Sequence, residues 1–350
     1  MTIAQDASEY SPLVTTVMIF LNGEKYIAEA IDSIVAQTYD RWELILVDDG
    51  STDGATAIAQ AYSRRHPDKI RYIDHPGHEN LGMSASRNAG VKRSRGEFIT
   101  FLDADDIWLP ERLARFVAVA GDHPEAGMIY GPTLYWYSWA DAQDDVESDD
   151  RPEDFPGYLD LPPDILIPPP LAMRQYLVTN GGCLPGICSL LINRKAFDAV
   201  GGFEESFRGL YEDQVFLSKM ALNHPVVVIE DILDHYRQHS ESCCHKGLET
   251  GEYDPDYYHP ARGIYIEWLS RYLDQIGETD RIIRRAVRVQ GRPYRWPRIT
   301  KLINQVRYVK LKVRHAIRRA VPQPVARIIK KLLQWQRDVR RARRIRHALR

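Results

Sequence analysis

Five short apolar runs alternate with amphipathic segments between residues 13 and 135, and this alternation leaves few folds open to the chain. The runs at 14–20, 42–47, 70–73, 98–102 and 128–136 read as strands covered on both faces of a mostly parallel sheet. Between them, 25–36 places Ile27, Ile31, Ile34 and Val35 on one helical face. Ser51 or Asp53 can cap a second helix running to about His66. Segments 83–94 and 110–120, the latter opened by Pro110, read as two more. Strands and helices in strict alternation imply βαβ units with right-handed crossovers, an α/β class. Two of the strands end in acidic clusters, Asp48-Asp49-Gly50-Ser51 and Asp103-Ala104-Asp105-Asp106. Open α/β sheets bind ligands at the carboxyl ends of strands. Paired carboxylates there suit a divalent metal and the hydroxyl or N–H groups of a nucleotide.

Beyond residue 136 the pattern breaks. Residues 137–170 form an acidic, proline-rich loop. A second half, 171–240, follows with helices near 171–179, 194–199 and 212–223 and strands near 188–192, 226–230 and 234–238. Residues 1–12 read as an N-terminal tail and 13–240 as one domain. Residues 241–350 read as a helical extension interrupted at Pro293, Pro297, Pro322 and Pro324.

Charge divides the chain unevenly. Of its 46 Lys and Arg residues, 24 lie in 281–350 beside a single acid, Asp338, so the rest is strongly acidic despite a net charge of only −2. Within 321–350, Val325, Ile328, Ile329, Leu332, Leu333 and Val339 recur at helical spacing among basic residues. Such a helix suits an anionic lipid surface, or it docks on the acidic part of the chain. Nucleic acid is not expected, since no nucleic-acid-binding pattern accompanies the arginines. No run approaches a membrane span, and the start lacks the pattern of a signal peptide. Cys183, Cys188, Cys243 and Cys244 make no disulfide framework and fit zinc spacings poorly. A cytoplasmic location, peripheral to the inner face of a membrane, is expected.

Asn22…Tyr26, Asp48-Asp49-Gly50-Ser51-Thr52-Asp53, Asn80-Leu81-Gly82, Arg87-Asn88-x-Gly90, Asp103-Ala104-Asp105-Asp106 and Glu212-Asp213 occur in this order. Together they resemble the motifs of the family 2 glycosyltransferases, inverting enzymes of the GT-A fold, over roughly residues 13–240. The resemblance implies metal-dependent transfer of a sugar from a nucleotide-diphosphate sugar, a UDP-sugar by expectation, to a saccharide or lipid-linked acceptor. It implies Mn²⁺ or Mg²⁺ at the DXD motif, with Asp105 the direct ligand, Asp103 toward the ribose or the metal's water, and His239 reaching the metal or diphosphate. Asp106 is expected to cap the following turn.

The same resemblance assigns the nucleobase to Asp49 and turn support to Asp48. Residues 20–24 depart from the usual family pattern. Phe20 and Asn22 are left with backbone-type contacts to the nucleotide, and Glu24 with either a ribose contact or the opening of a helix. Gly82 and Gly186 are candidates for close approach to the donor. Arg87 faces the diphosphate or pairs with an Asp of the sheet. Asp213 is the expected base, because an inverting transfer needs a carboxylate to take the acceptor's proton. Glu212 orients the loop or touches the acceptor. Tyr135, Trp136, Tyr137 and Trp139 line an acceptor groove or fill core. A nucleotidyltransferase would want a glycine-rich, basic loop after the first strand, and residues 21–26 offer one glycine and one lysine. A non-catalytic sugar-nucleotide-binding scaffold would not need Asp103, Asp105, Glu212 and Asp213 intact.

Overall fold

The computed structural model describes residues 10–139, 153–157, 159–179, 184–254, 258–296, 298, 300 and 303–306. The basic segment 321–350 and the acidic stretch 141–150 lie outside them. The first half runs β1 (Val14–Phe20), α1 (Ile27–Val35), β2 (Trp42–Asp48), α2 (Ala55–Arg65), β3 (Ile70–Asp74), α3 (Met83–Arg93), β4 (Phe98–Phe101), β5 (Ile107–Trp108), α4 (Arg112–Asp122) and β6 (Met128–Tyr130). It continues with β7 (Leu134–Trp136), β8 (Phe155–Pro156), β9 (Leu166–Ile167), α5 (Leu171–Thr179), β10 (Leu190–Asn193), α6 (Arg194–Ala199), α7 (Glu212–Asn223), β11 (Val226–Val228) and β12 (Asp234–Arg237). Helices α8 (Cys243–Thr250), α9 (Pro260–Gln275) and α10 (Arg281–Arg295) complete it.

An eight-stranded sheet has the order β3-β2-β1-β4-β10-β6-β11-β9, and a smaller sheet the order β5-β12-β7-β8. Strands β1 to β4 pair in parallel, whereas β10 runs antiparallel between β4 and β6. The alternation of side chains along each strand explains why these runs are mostly apolar. Val14, Met18, Phe20, Leu44 and Leu46 enter one core with α1, α2 and α4, while Val17, Ile19, Ile45 and Val47 enter the other. Gly90 lets α3 lie directly on the sheet, since a Cβ there would stand 2.4 Å from Val17 Cγ1. That second core also takes Tyr265, Ile266, Leu269 and Leu273 of α9 and Ile283 and Val287 of α10.

Three local expectations are corrected. The run 128–136 is two strands in two sheets, parted at Gly131-Pro132-Thr133, because Pro132 has no N–H for a ladder and the chain bends there. Residues 187–189 form a single 3-10 turn before β10 rather than its first residues. Helix α4 begins at Arg112, and Pro110 instead gives its carbonyl to Thr38 N at 2.9 Å.

Strand order turns from β2 on one side of β1 to β4 on the other, and such a switch point opens a crevice at the strands' carboxyl ends. The loops after β1, β2 and β4 all open there.

Candidate active site

The end of β2 is a scaffold of internal hydrogen bonds. Asp48 is fully buried and accepts from Ser51 N at 2.8 Å, Thr56 Oγ1 at 2.5 Å and Tyr72 OH at 3.2 Å. Asp49, 4% exposed, accepts at Oδ1 from Leu81 N (2.8 Å) and Ser86 Oγ (3.0 Å), and at both oxygens from Gly82 N (3.1 Å). It therefore fastens β2 to the entry of α3. Gly82 has φ +90°, and a Cβ would come within 3.1 Å of Arg208 Cβ, so glycine is required there by backbone and space alike.

The expected nucleotide contacts of β1's end are placed differently. Phe20 packs its ring in the core and gives its carbonyl to Asp49 N at 2.9 Å. Asn22, at φ 55°, donates its N–H to Ser51 Oγ and accepts at Oδ1 from Thr52 N at 2.7 Å, which ties the β1 and β2 loops together. Glu24 accepts from Gly54 N at 2.9 Å, so its carboxylate braces the start of α2, not the helix that follows it in sequence. Gly186 lies at an ordinary φ, and an added Cβ would meet nothing closer than 3.8 Å, so packing does not demand glycine there.

At the end of β4 the acids meet a buried cation. Arg87, 1% exposed, uses Nη2 on Asp103 Oδ1 at 2.8 Å and Nη1 on Glu212 Oε1 in a short ion pair. Of its two expected roles, the carboxylate pairing is the one observed, and both terminal nitrogens are committed to it. Residues 87, 103 and 212, far apart in sequence, thus converge on one guanidinium. Burial would lower the Arg87 pKa, but Glu212 and Asp103 raise it. Glu212 is 4% exposed and its Oε2 has no hydrogen-bond partner. Burial lifts Glu212 to about 7 against the pull of Arg87. Asp103, its side chain 33% exposed, is raised by burial, with Arg87 opposing and Asp105 adding repulsion.

Asp213 follows Glu212 at the start of α7 and is partly exposed. It accepts from Gln214 N at 2.7 Å, and burial raises its pKa while that bond and Arg87 lower it. The preceding Tyr211 sits in the left-handed region, φ 70°, a strained choice for a bulky residue. Its ring stacks on Tyr265 at 5.2 Å and its hydroxyl meets His259 Nε2 at 3.3 Å. This turn aims the two acids into the crevice, and nothing in the local sequence pattern announces it.

On the other side of Asp103, Asp105 Oδ2 lies 2.9 Å from His239 Nε2. His239 packs against Tyr26 at 4.8 Å between ring centroids, and its buried Nδ1 has no partner. Arg237, missed as a functional residue, braces this loop. Its Nε donates to Asp105 O at 2.7 Å, its N–H to Asp106 Oδ1 at 2.9 Å and its Nη2 to Glu29 at 2.6 Å. Its guanidinium lies over Tyr26, Trp136 and Trp139. Those tryptophans hold a brace rather than an open groove, and Tyr135 stacks on Phe155 at 4.7 Å. Asp106 is corrected too: it is 1% exposed, accepts from Arg237 N and caps no helix. Burial, with repulsion from Asp105 and Asp103, pushes its pKa well up.

Asp105 and Asp103 are each about a third exposed, and an imidazole stands within bonding distance of Asp105. Their hard carboxylate oxygens are of the kind a divalent ion takes, while His239 turns Nε2 to Asp105 and keeps its Nδ1 buried. Among the described residues, no three acidic, histidine or cysteine side chains form a ready cage.

Comparisons with known proteins agree with this architecture. Residues 15–174 match the family model described as glycosyl transferase family 2. An uncharacterized glycosyltransferase of Rickettsia felis is 32% identical over 234 residues, which is 66% of this chain and 35% of the relative. One from Nostoc sp. is 35% identical over 117 residues, 33% of this chain and 35% of that protein. The chain thus spans about a third of the length of these relatives. Among solved structures, a Pyrobaculum calidifontis mannosyltransferase in complex with GDP-Man and Mn²⁺ has TM-score 0.55 at 15% identity, covering 97% of this chain and 85% of that one. S. aureus TarS with UDP-GlcNAc has TM-score 0.50 at 20% identity, covering 75% and 73%. With its α/β sheet, its strand-end acids and this match, the region 15–174 belongs to glycosyl transferase family 2, on a GT-A fold.

Proposed function

We propose that the protein transfers a sugar, with inversion, from a nucleoside-diphosphate sugar to a hydroxyl of a saccharide or lipid-linked glycan. The observation that carries this reading is the convergence of Asp103 and Glu212 on Arg87, with Asp213 beside them. One crevice then holds carboxylates on the donor side and a partly exposed carboxylate on the acceptor side. Asp213 takes the acceptor hydroxyl's proton as that oxygen bonds to the anomeric carbon. The bond from that carbon to the phosphate oxygen breaks, and the nucleoside diphosphate leaves with the electron pair.

Asp105 would hold a divalent ion, with Asp103 and His239 beside it, and the ion supplies charge neutralisation on the diphosphate. The backbone at Gly82 and the Asp49 carboxylate border the nucleoside side. Asp49 Oδ2, which carries one 3.1 Å bond, accepts the imide N–H of a uracil. The bound donors of the two structural neighbours, GDP-Man and UDP-GlcNAc, set the first candidates.

The test is nucleotide release from a panel of UDP- and GDP-sugars with extracted lipid-linked saccharides. Release is expected for a UDP-sugar with Mn²⁺ or Mg²⁺, lost with a chelator and restored by adding the metal back. Undiminished turnover in the chelator would remove the metal from the reading, and release from GDP-sugars alone would remove Asp49 as a uracil reader.

The pH dependence follows from the same acids. Asp213 must be ionised to act as a base, and burial raises its pKa. Glu212, at about 7, must be ionised to hold Arg87. Both groups need to lose a proton, so kcat/KM is expected to climb as pH rises toward about 7 and then level. In Glu212→Gln the contribution of Glu212 to that limb should disappear, leaving the limb set by Asp213 alone. An unchanged limb in that variant would show that Glu212 does not titrate in the working range.

A further inference from the structure

Helix α10 presents three faces. Ile283 and Val287 are buried against the core, and Gln290 donates to Leu177 O at 2.7 Å, which fixes the helix to α5. Arg281, Arg285, Arg288 and Arg292 share the opposite face at helical spacing, and all four are exposed. The helix carries six arginines and no acid. Arg284 alone is drawn away, paired with Asp274. Beside the arginine face, Ile282 and Val289 stand seven residues apart, 39% and 47% exposed, and Trp296, just past the helix's end, is 63% exposed. A groove of about 430 Å³ runs along the arginines, closed by Thr279 and Val289.

We infer that this face of α10 docks on an anionic lipid surface. The basic and apolar stripes adjoin, which is the arrangement that lets arginines reach lipid phosphates while neighbouring apolar side chains enter the headgroup boundary. These arginines open the basic stretch 281–350, which holds 24 of the 46 Lys and Arg residues. The protein as a whole carries −2, so general basicity does not explain attraction to an anion. A nucleic acid would take the arginines through its phosphates and leave the Ile282–Val289–Trp296 stripe in water. The inner face stays packed on α5 and α9, so docking needs no unfolding of the helix. This inference does not depend on the transferase reading, since its readout is binding alone.

The experiment is co-sedimentation of the full chain with phosphatidylcholine vesicles and with vesicles containing roughly a third phosphatidylglycerol, each basic contact adding on the order of a fivefold gain in partition. The wild type should pellet with the anionic vesicles, not the neutral ones, and should be released by high salt. Arg285→Glu, Arg288→Glu and Arg292→Glu together should weaken partition on the order of a hundredfold or more. Val289→Ser with Trp296→Ser should weaken it while leaving the charge unchanged. Circular dichroism checks that both variants keep the fold. The inference is overturned if the charge-reversed chain is folded and binds as the wild type does, if neutral vesicles bind equally, or if duplex RNA competes the protein off the vesicles and the serine variant is unaffected.

Discussion

Replacing Asp213 by Asn is expected to slow glycosyl transfer by on the order of 10²–10⁴-fold, the usual contribution of a general base, while nucleotide binding persists. The choice of Asp213 over Glu212 rests on access. Glu212 is 4% exposed, its Oε1 is bound to Arg87 and its unpartnered Oε2 is buried, so an acceptor hydroxyl does not reach it from solvent. Asp213 is partly exposed and its main bond is from the adjacent Gln214 N–H. An asparagine keeps an oxygen for that N–H, so the start of α7 survives and lost activity reports lost basicity. Single-turnover transfer and nucleotide titration on the same sample separate the two quantities. Transfer at the wild-type rate in this variant, with Glu212→Gln inactive, would exchange the roles of the two acids.

What the sequence made legible was whatever depends on local pattern. The period of the apolar residues placed β1 to β4 and α1 to α3 within a few residues, because burial on both faces makes these strands mostly apolar. Helix α7 begins at Glu212 as expected, since two acids at a helix start suit its dipole. The antiparallel insertion of β10 was not legible, as three apolar residues and an asparagine read alike in either direction. Long-range pairing was equally hidden. Nothing near Arg237 signals that its side chain will lie across Tyr26, Trp136 and Trp139. Phe20 and Asn22 were expected to make backbone-type contacts to a nucleotide; that the Phe20 ring is core and the Asn22 side chain a brace between loops was not legible. The motif order marked the site's neighbourhood, and the folded contacts decided which residues build it and which face the crevice.

Replacing Arg87 by Met is expected to be the most costly single change to stability, and the loss should depend on pH. Removing one partner of a buried ion pair costs about 3–5 kcal/mol because the other charge stays behind. Here two carboxylates lose their cation. Asp103 is a third exposed and can turn to water, so the cost falls on Glu212. Glu212 escapes by binding a proton, and burial already holds its pKa at about 7 with Arg87 present. Without Arg87 that value rises further. An acid whose folded pKa lies above its unfolded value makes the native state bind more protons, so stability falls as pH rises between the two values. Urea midpoints should therefore show a modest loss near about pH 6 and the larger part of the penalty near about pH 8. Adding Glu212→Gln should recover much of the alkaline loss, since the stranded charge is gone and a neutral amide remains. The double variant is also expected to transfer sugar poorly, because Asp103 and the start of α7 no longer share a guanidinium. A double variant that is as unstable as Arg87→Met at alkaline pH would mean that Glu212 is not the group left uncompensated. One that is stable and fully active would make the Arg87 junction a device of folding alone.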